Sequence, residues 1–127
     1  MLIIGRTLLD WRAREASLAG IGFVLETDFT EAVGWPRSVL KLETADSDLP
    51  AVVPFRLTET VSVSGDDAPS LGEIVETIAA AHVGKRIQGE RCAIHLFVGG
   101  NRVTYENDGT SRDATIFWEG LASWMSA

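Results

Sequence analysis

The feature that most constrains the fold is a run of residues, 51–64, in which apolar and polar side chains alternate. Ala51, Val53, Phe55, Leu57, Val61 and Val63 share one parity, while Arg56, Thr58, Thr60, Ser62 and Ser64 share the other. Successive residues of a strand point to opposite faces, so the pattern specifies a strand with one buried face and one wet face. Pro54 falls on the wet parity and predicts an edge position or a bulge, because proline has no N–H to give to a ladder. Such a strand needs neighbours and a cover for its apolar side.

The rest of the chain supplies both. Residues 6–19 carry Leu8, Leu9, Trp11, Ala13, Ala16 and Leu18 with Asp10 and Arg14 four apart, and Gly20 follows as a stop, which predicts a helix. A second helix is expected after the capping box Ser70-Leu71-Gly72-Glu73, where Leu71, Ile74, Val75, Ile78, Ala79 and His82 recur on one face and Gly84 ends the run. Residues 22–28 and 38–44 read as strands, and 29–37, containing Gly34-Trp35-Pro36, as a loop. Residues 92–98 are apolar on both parities, as in a central strand. Gly99-Gly100-Asn101 signals a hairpin into a strand over 102–106, and Asn107-Asp108-Gly109 a second one into a strand over 113–118. Leu121, Trp124 and Met125 are expected to close the chain as a short amphipathic helix. The resulting fold class is α+β: a single domain over 1–127, with a largely antiparallel sheet of five to six strands, two main helices on one face and a short C-terminal helix.

Eighteen acids against eleven bases leave 127 residues with a net charge of −7. A charge of that sign repels phosphate backbones and anionic lipid, so neither nucleic acid nor a membrane surface is expected as a partner. No stretch approaches the roughly eighteen apolar residues of a membrane span, and no secretory signal opens the sequence. The lone Cys92 leaves no disulfide framework and no thiolate zinc site, and a cytoplasmic location is expected.

Motifs that carry chemistry are sparse. Cys92 and His95 lie three apart, which on a strand puts them on opposite faces and removes a nucleophile–base dyad; a buried thiol and a core histidine are expected instead. His82 meets His95 if its helix packs on that strand, but no ligand spacing accompanies them, so no metal site is assigned. Asp66-Asp67 stands between a strand and a helix, where carboxylates hold metals or act in catalysis, and where aspartates also start turns and favour the helix dipole. No Gly-Lys-Ser/Thr follows Gly99-Gly100, so it is not a phosphate loop, and no cofactor is expected.

Charge distribution is more informative. Residues 57–84 hold no Lys or Arg but contain Glu59, Asp66, Asp67, Glu73 and Glu76. An acidic face built from them would steer a basic protein. Of the tryptophans, Trp11 and Trp118 lie in periodic elements and are expected in the core, while Trp35 and Trp124 are expected at the surface. The expected function is a non-catalytic acidic protein-binding domain, of the immunity-protein, inhibitor or secretion-chaperone type, recognising a basic partner through Asp66, Asp67, Glu73 and Glu76 with Trp35 as anchor. The strand over 113–118 is apolar on both faces, so Phe117, Trp124 and Met125 are expected to form a patch that a twofold homodimer would cover. One alternative is a nucleotide or cyclic-oligonucleotide sensor with its pocket near residues 65–70; another is a metal-dependent hydrolase using Asp66 and Asp67.

The order helix, three strands, helix, three strands resembles that of class I type III secretion chaperones, which implies a small acidic dimer. The helix from Ser70 followed by Ile94-His95-Leu96-Phe97 resembles the helix–strand unit of cyclic-oligonucleotide-sensing SAVED domains, which implies a nucleotide ligand. The apolar small-residue helix that follows in that family is replaced here by Gly99-Gly100-Asn101.

Overall fold

The computed structural model describes residues 2–30, 34–44, 51–64, 71–107 and 111–124. Along the chain run α1 (Leu2–Arg14), β1 (Gly22–Leu25), β2 (Arg37–Thr44), β3 (Val52–Ser64), α2 (Leu71–His82), β4 (Ile87–Gln88), β5 (Cys92–Asn107) and β6 (Ser111–Trp124), with 3₁₀ turns at Ala16–Leu18 and Glu26–Asp28. The architecture is α+β, a curled mixed sheet in the order β1-β2-β3-β6-β5-β4 with two helices. The alternating stretch lies at its centre. β3 pairs antiparallel with β6 from Val52↔Ser123 to Ser64↔Ser111, and with β2 from Arg37↔Ser62 to Thr44↔Phe55. Pro54 therefore sits just past the last β2 pair, where among the described residues β6 alone flanks the strand and a missing N–H costs little.

The apolar parity of β3 faces the core together with Ala114, Ile116, Trp118 and Ala122 of β6. α1 adds Ile4 and Leu8, and α2 adds Leu71, Val75 and Ile78, each at three- or four-residue helical spacing. The opposite parity keeps Arg56, Glu119, Leu121 and Phe97 exposed. Among the described residues no helix is long and apolar enough to cross a membrane.

Several expectations need correction. β1 is parallel to β2 and ends at Leu25, where the chain enters a 3₁₀ turn instead of extending to 28. α1 starts at Leu2 and stops at Arg14, because burial of Ile4 and Leu8 outweighs the poor helix propensity of its β-branched opening. The glycine pair does not reverse the chain: both halves of β5 pair with β6, and between Val98↔Trp118 and Val103↔Ile116 five residues advance on β5 against two on β6. The surplus is taken up as a bulge-like irregularity, a role glycine suits as well as a turn. Leu121 and Trp124 belong to β6 and not to a helix, since the buried alternation of Ala114, Ile116, Trp118, Gly120 and Ala122 runs to the end of the strand. Met125 lies outside the described residues.

Candidate functional site

Glu59 breaks the apolar parity of β3. It points inward with Phe55, Leu57 and Val61, and it is fully buried. On α1 the stripe Ile4, Leu8, Arg12 runs at four-residue intervals into the core and delivers Arg12 to it, also buried. The guanidinium grips the carboxylate with two near-parallel bonds, Nη1 donating to Oε2 at 2.6 Å and Nη2 to Oε1 at 2.9 Å. Ser38 Oγ on β2 donates to Oε2 at 2.6 Å, and Trp118 Nε1 on β6 donates to Oε1 at 2.9 Å. A carboxylate offers about four acceptor sites, so these donors leave Glu59 no capacity to take a proton from a substrate.

The remaining guanidinium nitrogen reaches α2. Arg12 Nε donates to His82 Nε2 at 3.2 Å, and the imidazole lies between Trp11 (4.9 Å between centroids) and Trp118 (5.1 Å, edge to face). Burial by itself pushes the Glu59 carboxyl up, but the charge and hydrogen bonds of Arg12, aided by Ser38 and Trp118, outweigh it and hold the group below its ordinary value. His82 is driven from 6.5 down to about 3, by burial and then by the Arg12 charge, with Glu59 opposing. It is therefore neutral. Because Arg12 only donates, Nε2 must be bare, and the ring proton sits on Nδ1. That N–H is the one buried side-chain polar atom without a hydrogen-bond partner among the described residues. An unmet buried donor of this kind costs about 1–3 kcal/mol.

His82 also forms part of the wall of a groove of about 500 Å³ between the end of α2 and the outer edge of β5. Lys85, His95, Leu96, Phe97 and Trp118 complete most of its lining, and among the described residues no carboxylate lines it. The groove is open because β4 pairs with β5 only at Ala93 and Ile94. A larger cleft of about 730 Å³ on the outer side of α1 carries Arg6, Arg14 and Arg91 among Asp10 and Glu90, so its charges largely offset one another.

The sequence-derived site residues separate. Asp66 and Asp67, and with them the sensor pocket and the hydrolase carboxylates, lie outside the described residues, as does Met125. Glu73 and Glu76 are exposed on α2. Glu59 leaves any acidic face, because it is buried and paired. Trp35 is 43% exposed with the Arg37 guanidinium 4.0 Å over its ring, Trp124 is 38% exposed, Trp118 is buried and Trp11 is partly buried. Phe117 is half-buried on the sheet face away from Glu59. Cys92 is buried beside the Thr7 hydroxyl, but His95 is no core histidine: it lies half-exposed on the opposite face, stacked on Phe97. His82 and His95 both line the groove, and among the described residues no group of metal-binding side chains forms there.

The Arg12–Glu59–His82 cluster went unseen in the sequence. Its signal was available as a glutamate on the apolar parity of the best strand and an arginine on the apolar stripe of a helix, two charges that must find each other if both elements share a core. Neither a protein-family model nor a curated protein matches this sequence.

Proposed function

We propose that this chain is a non-catalytic protein-binding domain that takes a basic partner on the sheet face away from Glu59. The observation that carries the reading is a pair of neighbouring cross-strand rows on that face, His95–Leu121–Pro54 and Phe97–Glu119–Arg56, in which Phe97 is 55% and Leu121 42% exposed. Exposed apolar groups clustered within a polar rim mark protein-interaction surfaces. The net charge of −7 supplies the attraction for a basic protein, and Glu73 and Glu76 add exposed carboxylates on α2. The buried cluster fits a positioning role: it ties α1 and α2 to β2, β3 and β6 and has no acceptor site free for chemistry.

The test is affinity capture from cell extract with the wild-type chain and the Phe97→Glu/Leu121→Glu double variant, at low and high salt. The reading expects basic proteins retained by the wild type, lost by the double variant, and retained less as salt rises. Retention of the same proteins by both chains, or a capture indifferent to salt, overturns it.

A further inference from the structure

We infer that the partner contributes an extended basic segment that joins the sheet as a further strand, lying antiparallel on the outer edge of β5 beside the end of α2. This deepens the protein-binding reading and rests on it: the edge borders the face just described, and Phe97 belongs to both.

The backbone comes first. Gly89 N–H donates to the Cys92 carbonyl at 2.9 Å, and the ladder then pairs Gln88 with Ala93 and Ile87 with Ile94. In an antiparallel ladder the hydrogen-bonding groups of a strand turn to alternate sides, so Cys92, Ile94 and Leu96 face the β4 side while Ala93, His95 and Phe97 face β6. The β4 side supplies partners for the first two and stops. Lys85, which the same register would set opposite Leu96, follows Gly84 at φ +67° and gives its N–H to the His82 carbonyl at 3.1 Å. Among the described residues no strand stands across from the N–H and C=O of Leu96, although β5 continues along β6 to Asn107. A peptide strand supplies a donor and an acceptor at that spacing, which is how sheet edges capture extended segments.

Side chains and charge give the rest. A strand laid there turns alternate side chains inward, between Leu96 and the Ala79 and Val83 flank of α2, and outward beside Phe97. Val83 is 76% exposed and Phe97 55%, so both offer apolar surface to cover. Charge sets the direction. α2 enters from the Ser64 end of β3, the end where β5 reaches Asn107, and finishes beside Leu96. Glu76 is exposed three residues before Ala79, on the flank of α2 that continues the groove, and Lys85 is exposed at the groove's other end. A strand antiparallel to β5 therefore begins with a basic side chain by Glu76 and ends with its carboxyl group by Lys85, and the net charge of −7 draws such a segment in.

The probe is the peptide Lys-Thr-Val-Thr-Val with an acetylated amino terminus and a free carboxylate. Antiparallel pairing turns its lysine and both valines inward, and the valine N–H groups then face β5. Amide ¹H–¹⁵N correlation spectra of the full ¹⁵N-labelled chain read Leu96 directly. At roughly 5 mM, ample for a millimolar site, the peptide should move the Leu96 amide proton downfield and slow its exchange with solvent about fivefold. N-methylation of the two valines should abolish both effects, whereas N-methylation of the two threonines should leave them. Glu76→Lys, on an exposed side chain that does not endanger folding, should weaken binding about threefold or more. Leu121→Glu, on the face but away from the edge, should not weaken it, so a failure of the face and a failure of the added strand read out separately. The inference is overturned if the Leu96 amide ignores the peptide, if N-methylation of the valines and of the threonines has the same effect, or if Glu76→Lys binds as the wild type does. A Leu96 amide that moves on dilution of the chain alone gives the edge to a second copy and equally overturns it.

Discussion

The imidazole of His82 separates two requirements that usually coincide in a buried histidine, a partner for each nitrogen. Only Nε2 has one, and burial, followed by the Arg12 charge beside it, disfavours the charged form, so the ring titrates at about 3 in the folded chain. In the unfolded chain it regains an ordinary value near 6.5. Above that value both states are neutral and the contribution to stability is complete. Below it the unfolded chain takes up a proton that the folded chain refuses, and stability falls by up to about 1.4 kcal/mol per pH unit until the folded ring also titrates. Glu59, held below its ordinary value, acts with the same sign: its contribution is present at neutral pH and is lost on acidification. Urea melts at about pH 7, 6 and 5 should therefore show the wild type losing roughly one proton's worth of slope more than His82→Gln, whose amide can still accept from Arg12. Parallel slopes in the two proteins would mean that His82 is not held neutral.

Among the elements, β3 and β6 set the register of everything else, and one contact pins them. Gly120 stands directly opposite Phe55, and a methyl group added to it would meet carbons of the Phe55 ring at 2.6 and 2.7 Å. Phe55 is buried and has no room to retreat, so the glycine is required by the ring lying across it. Gly120→Ala should lower stability by about 1–3 kcal/mol, measured by denaturant unfolding, whereas Gly72→Ala, with open space around the new methyl, should be neutral or stabilising. Equal effects of the two changes would show that β6 slides or tilts to make room. The same strands show what was legible in the sequence. Period-two alternation found β3 almost to the residue, and the one-face spacing from Leu71 to His82 found α2, because in both elements burial follows the intrinsic repeat. It did not separate a continuous β5 from two strands, since a glycine pair serves a bulge as well as a turn. Nor did it place β1 beside β2 in parallel, because that pairing depends on how the chain returns through residues 26–36. The ion pair was hidden for a similar reason: Arg12 and Glu59 are 47 positions apart and become partners only when α1 lies on the sheet.

For the whole molecule the question is what covers the second sheet face, where half-buried Phe117 pairs with Thr58 next to the exposed Phe97 and Leu121. A basic partner and a second copy of this chain would both bury that surface, and net charge distinguishes them. Each chain carries −7, so two copies repel and a basic partner is attracted. Added salt screens both interactions, and it therefore tightens a homodimer while loosening a complex with a basic protein. A twofold dimer through this face would place Phe117 near its own symmetry mate, but not the expected Trp124, which shares the parity of Trp118 and Ala122 and so lies on the other face of β6. Light scattering of the isolated chain at high micromolar concentration tests this directly. If the face serves self-association, the mass should rise towards the dimer as salt is added, and Phe117→Glu should hold the chain at the monomer mass at every salt concentration by placing a charge at the centre of the contact. A monomer under all conditions, or a dimer indifferent to Phe117→Glu, removes the homodimer and leaves the face to a partner of opposite charge, whose complex the same salt series would weaken.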